Sequence, residues 1–122
     1  MTVLTLAKVR AADAATMELC PWGAAPDRDW EPDMREHTTW AQPGGGTVTG
    51  VWEVDPGTFR VDFGPAGEFL HLLAGDLTCV GDDGETIELH AGDTMTFPTG
   101  WSGEWTAHSR VRKVYCTFAP PA

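Results

Sequence analysis

From residue 47 onward, apolar and polar positions alternate in short runs, and most runs are closed by glycine, proline or aspartate. Residues 47–54 form the first run and end at Asp55-Pro56-Gly57. In 58–63, Phe59, Val61 and Phe63 fall on one face and Thr58, Arg60 and Asp62 on the other, the period of a half-buried strand. Further runs cover 68–73, 77–80, 86–89, 94–97, 103–107 and 111–118. Asp82-Asp83-Gly84 is a strong hairpin signal between two of them. Short strands joined by glycine turns predict an all-β domain, a small antiparallel barrel or jelly roll. Pattern alone does not separate these from a sandwich.

The first 46 residues lack this rhythm. Pro21, Pro26, Pro32, Pro43 and the run Gly44-Gly45-Gly46 interrupt helices and central strands alike. Residues 11–19 suit a turn or two of helix. Trp22, Trp30 and Trp40 stand in this stretch, and an aromatic in an irregular segment usually anchors it to a core surface. The expected organisation is an irregular N-terminal arm, 1–46, packed on the barrel or on a partner subunit, then a barrel, 47–118, and a frayed tail, 119–122. A chain of 122 residues suits one domain and buries about two-thirds of its unfolded surface.

A net charge of −10 repels nucleic acid and anionic membranes, so neither is an expected partner. Cys20, Cys79 and Cys116 are odd in number and widely spaced, which argues against a disulfide scaffold or a structural zinc site. Cys79 and Cys116 fall in strand-like runs and read as buried apolar residues. The N-terminus has no basic stretch followed by an apolar run, and the expectation is a cytoplasmic protein. Gly44-Gly45-Gly46 lacks the lysine of a phosphate loop, and no G-x-S-x-G elbow occurs.

Two segments carry a longer pattern. Glu68 is followed after six residues by Gly75. Gly92-Asp93 leads to Pro98-Thr99-Gly100 and then to Trp101-Ser102-Gly103-Glu104-Trp105. Their spacing resembles the two cupin motifs, G-x5-H-x-H-x(3,4)-E-x6-G and G-x5-P-x-G-x2-H-x3-N. With Gly50-Val51-Trp52-Glu53, Pro56-Gly57-Thr58-Phe59-Arg60-Val61 and Val111-Arg112-Lys113-Val114-Tyr115, the chain is similar to the small single-domain cupins of the ureidoglycine-aminohydrolase and ethanolamine-utilisation type. The resemblance implies an RmlC-like double-stranded β-helix barrel, a homodimer, and a pocket inside the barrel. It does not imply one activity, because the fold hosts enzymes, binding proteins and storage proteins. The motif histidines are missing. The motif-two position is Gly103, and the motif-one pair falls on Val61 and Phe63 or on Asp62 and Gly64.

Glu68 stands at the cupin carboxylate position, and alternation puts Leu70 and Leu72 beside it on the pocket face, with Phe69, His71 and Leu73 behind. A carboxylate among leucines suits a general acid or base, although an ion pair that closes the barrel explains it as well. Lys113, inward with Val111 and Tyr115, needs a carboxylate, either Glu68 or Glu53; a structural salt bridge is the plainer account. Trp105 shares the parity of Gly103 and points inward, with Trp101 nearer the pocket mouth, and core packing is the plainer account of both. Catalytic roles accordingly go to Glu68, Lys113 and Tyr115, and ligand contacts to Glu53, Phe63, Trp101 and Trp105. No cofactor is expected; a transition metal, if bound, falls to Glu68 and His71, since no H-x-H or H-x3-H pair exists. The expected function is metal-independent binding of a small organic molecule inside the barrel, with acid–base chemistry upon it. The alternatives are a metal-dependent aminohydrolase or dioxygenase using Glu68 with His71 or His37, and a non-catalytic dimeric sensor or accessory protein.

Overall fold

The computed structural model describes residues 6–21 and 32–120, so Trp22 and Trp30 lie outside the described residues. A short helix, α1 (Ala11–Thr16), precedes the strands β1 (Cys20–Pro21), β2 (Met34–Ala41), β3 (Thr47–Val54), β4 (Gly57–Asp62) and β5 (Gly67–Ala74). The hairpin β6 (Asp76–Gly81) and β7 (Thr86–His90) follows, then β8 (Thr94–Phe97), β9 (Ser102–Ala107) and β10 (Val111–Phe118). Every strand of 47–118 lies where the alternation predicts it, with bounds that differ by at most one residue.

The strands form two antiparallel sheets, in the orders β1-β2-β3-β10-β5-β8 and β4-β9-β6-β7. From β3 to β10 the chain crosses between sheets in the jelly-roll order, which resolves the ambiguity left by the pattern. β10 is central to the larger sheet: it pairs with β3 through Lys113 opposite Trp52, and with β5 through Thr117 opposite Glu68. A register shift between Arg112 and Lys113 skips Leu73 on β5, leaving the alternation of 68–72 intact. The inner faces meet in a core that includes Leu70, Leu72, Leu77, Phe97, Trp105 and Val111.

The segment before residue 47 is more regular than its prolines suggest. β2 pairs along β3 from Met34 opposite Val54 to Ala41 opposite Val48, with a bulge between Thr38 and Trp40. Its sequence escapes the hydrophobic pattern because both faces are polar: Glu36 and Thr38 turn inward, Arg35 and His37 outward. The bulge returns Trp40 to the outer face opposite Thr49. α1 is clipped to the outer face by Arg112, whose Nη1 donates to the carbonyls of Ala14 and Met17 at 3.0 Å each. No helix of the described residues is long and apolar enough to cross a membrane.

Candidate functional site

Between the sheets lies a cavity of about 590 Å³, walled by inward side chains of β2, β3, β4, β5, β9 and β10. Strand register builds its floor. Glu36 on β2, Trp52 on β3 and Lys113 on β10 are cross-strand neighbours in one row, and Thr38, Gly50 and Tyr115 form the next. Paired residues share a face, so both rows point into the barrel.

The Lys113 ammonium donates to both oxygens of Glu68, at 3.0 and 2.8 Å. The two residues are 45 apart in sequence, and their side chains are each only 5% exposed. Neither is left uncompensated, which is the condition for burying charge at all. The ammonium also lies 4.4 Å from the Trp52 ring centroid and 4.6 Å from that of Trp105, within cation–π range. Of the two partners foreseen for Lys113, Glu68 is therefore the one present. Cys79 is buried behind this region, and burial pushes its thiol up to about 12 against the opposing charge of Lys113, so it is an inert packing residue.

Tyr115 reaches across Gly50 to donate its phenol proton to Glu36 Oε2. Gly50 makes this possible: a Cβ there would lie 2.7 Å from the Tyr115 hydroxyl and 2.6 Å from the His37 carbonyl. Burial, then the hydrogen bond to Glu36, push the Tyr115 phenol well above its ordinary value. It is thus held as a neutral hydrogen-bond donor to Glu36. Glu36 also accepts from the Thr38 hydroxyl at 3.0 Å. Glu36 and Thr38 were not foreseen as site residues, since a polar alternation of two residues in a proline-rich stretch gives no hydrophobic period to detect.

Aromatic rings form the opposite wall. Trp105 is 2% exposed and packs edge-on against Trp52 and Phe59, with centroids 6.2 and 5.9 Å apart. Phe63 lines the cavity beside it. The Trp105 indole N–H has no hydrogen-bond partner among the described residues.

Two expected contacts are corrected. Glu53 is not in the cavity: it is on the outer face of β3, where it accepts from Arg35 Nε at 2.9 Å and Arg112 Nε at 3.1 Å. Burial works to raise the Glu53 carboxyl, but these two guanidinium bonds outweigh it and hold it below its ordinary value. Trp101 is not part of this cavity's lining: its ring is 4.8 Å from Phe97 and 6.2 Å from Phe63, and it borders a separate small depression with Asp82, Asp83 and Ser102. His71 lies on the outer face of β5 opposite Val114, and His37 on the outer face of β2 opposite Val51, so neither approaches Glu68.

The donor set does not fit the metal that cupin motifs imply. Of the two placements of the motif-one pair, Val61 and Phe63 bring no ligand atom and Asp62 and Gly64 bring a single carboxylate, one oxygen of which accepts from the Gly64 N–H, while both Glu68 oxygens are occupied by an ammonium. Gly103 is closed to any side chain: a Cβ would meet the Val80 carbonyl at 2.2 Å and the Trp101 ring at 2.7 Å. Among the described residues no group of three or more His, Cys, Asp or Glu side chains is placed to hold a metal ion.

A jelly-roll barrel with a cavity between its sheets, walled by the inner faces of β3, β5 and β10, is the architecture cupins share with other jelly rolls. The chain belongs to the EutQ-like cupin domain family, whose match spans residues 41–115. It is similar in structure to the EutQ protein of Clostridium difficile, at 17% identity over 73% of this chain and 70% of that one, with a TM-score of 0.63. A putative ethanolamine utilization protein Q of Salmonella typhimurium is similar at 26% identity over 71% and 70%, with a TM-score of 0.62. Ectoine synthase of P. lautus is similar at 19% identity over 79% and 70%, with a TM-score of 0.64. No curated protein matches the chain in sequence.

Proposed function

We propose that this chain is a small-molecule-binding cupin that works without a metal, with the Lys113 ammonium holding Glu68 in the role a metal ion fills in other cupins. The observation that carries this reading is the place of the Glu68–Lys113 pair on the wall of a cavity of about 590 Å³ and not within the packed core. A cavity of this size suits a small organic molecule. A carboxylate and an ammonium together on the cavity wall are the groups that acid–base handling of a bound molecule would use. Tyr115 anchors, and Phe63 and Trp105 give the apolar wall. The same reading takes the chain as a homodimer, as the cupin resemblance implies.

Glu68→Gln tests the site. If the pair serves a ligand, the variant stays folded and loses about 10- to 150-fold in affinity or turnover, one charge-assisted contact. The stranded ammonium lowers stability by about 3–5 kcal/mol in either case, and if the pair is only structural the folded variant keeps its full ligand affinity. Melting and ligand binding measured on one variant separate the two, and no change in either removes Glu68 from the site.

A further inference from the structure

We propose that the molecule the cavity takes is a small organic cation, an ammonium whose charge is met by Glu36; this rests on the ligand-binding reading above. The charges around the cavity are unevenly matched. Its lining holds two cationic side chains, Lys113 and Arg60, and three carboxylates, Glu36, Asp62 and Glu68. Both cations are already paired. Lys113 is bound through both Glu68 oxygens, and Arg60 is in a two-pronged pair with Asp82, which is not part of the lining. Glu36 has no cationic partner among the described residues. Its oxygens accept only from the neutral hydroxyls of Tyr115 and Thr38.

Those two bonds aim the carboxylate without neutralising it, and a carboxylate has lone pairs to spare after two hydrogen bonds. An anionic ligand entering here meets a carboxylate with no cationic partner among the described residues and finds both lining cations engaged. A neutral ligand leaves Glu36 unmatched. A cationic ligand answers the charge of Glu36, the less exposed of the two lining carboxylates without a cationic partner among the described residues, Asp62 being open to solvent; the aromatic lining helps it further. Trp52, the cross-strand neighbour of Glu36, already carries the Lys113 ammonium over its ring, while Phe59, packed on Trp52 with centroids 5.9 Å apart, lines the cavity with no cation over its ring among the described residues. The net charge of −10 draws cations towards the molecule as a whole.

Three probes of equal length and different charge decide the question: n-butylammonium, n-butanol and butyrate, titrated against the full chain by calorimetry and by tryptophan fluorescence. The expected result is tightest binding of butylammonium, weakened about tenfold or more in Glu36→Gln, the loss of one charge-assisted contact. Glutamine keeps an oxygen for the Tyr115 hydroxyl, so the unliganded variant melts near the wild-type temperature. A variant that melts much lower is replaced by Glu36→Asp, for which weakened butylammonium binding with the same charge order supports the proposal. Butyrate or butanol binding as tightly as butylammonium, in a manner weakened by Glu68→Gln, overturns the cation while leaving the cavity reading in place. Unchanged butylammonium affinity in Glu36→Gln also overturns it. Failure of all three probes to bind overturns both.

Discussion

Lys113 and Glu68 are each tolerable inside the barrel only because of the other. Lys113→Met should therefore strand a buried carboxylate and cost about 3–5 kcal/mol in urea unfolding, whereas Lys113→Met combined with Glu68→Leu should recover most of that loss. A double variant no more stable than the single would contradict the pairing. Gly103→His puts the motif histidine back in name only. Its Cβ would meet the Val80 carbonyl, so the substitution should destabilise the fold by about 1–3 kcal/mol or more and leave zinc affinity unimproved. Strand parity made Glu68, Lys113 and Trp105 legible from sequence, because β5, β9 and β10 alternate cleanly. It failed for Glu53 because Val51, Trp52 and Val54 are apolar around it, so 47–54 shows no polar face to orient the strand. It had nothing to say about Trp101, which lies in a turn just before β9, where alternation has no meaning.

β2 is the element that sequence concealed. A strand shows itself by burying one face in a core; β2 instead gives its inner face to a cavity, through Glu36 and Thr38, and its outer face to charged pairs. Two truncations separate its contribution from that of α1. Removing residues 1–19 takes away α1 and the two carbonyls that Arg112 holds, and should cost on the order of 1–3 kcal/mol with the β-type circular dichroism intact. Removing residues 1–41 also strips a strand from β3, uncovers Trp52 and deletes Glu36. That protein should aggregate or lose its cooperative melting transition. Equal melting temperatures for both truncations would show that β2 contributes no more than α1.

At the scale of the whole molecule, charge sets the response to acid. In the folded protein Glu53 lies below its ordinary value through Arg35 and Arg112, and Asp55 lies below its own through the Arg35 hydrogen bond. Asp82 is held at about 2 by Arg60 and Ser102 on the open surface. Folded protein thus binds fewer protons than unfolded protein, so the stability these groups confer is complete above the ordinary carboxylate range and is lost as pH falls through it. His90 runs the other way: its bond to Asp76 raises it, so its small, exposed contribution is present in mild acid and disappears as pH rises. Relief of the −10 net charge also favours mild acid, and the pairs prevail lower down. The melting temperature should change little between about pH 7 and 5 and fall steeply below about pH 4. Arg35→Met should flatten that fall, and a profile that stays level down to pH 3 would contradict it.

A cation carried on a side chain has consequences of its own for Lys113. It cannot dissociate from the chain, so its stoichiometry is fixed when the chain is made. It needs no loading step, and no competing ion can displace it. Because its anchor points are 45 residues apart, it comes into place only as β5 and β10 pair. Assembly of the pair and closure of the barrel are then one event, and every folded copy of the protein carries the Glu68–Lys113 pair already formed.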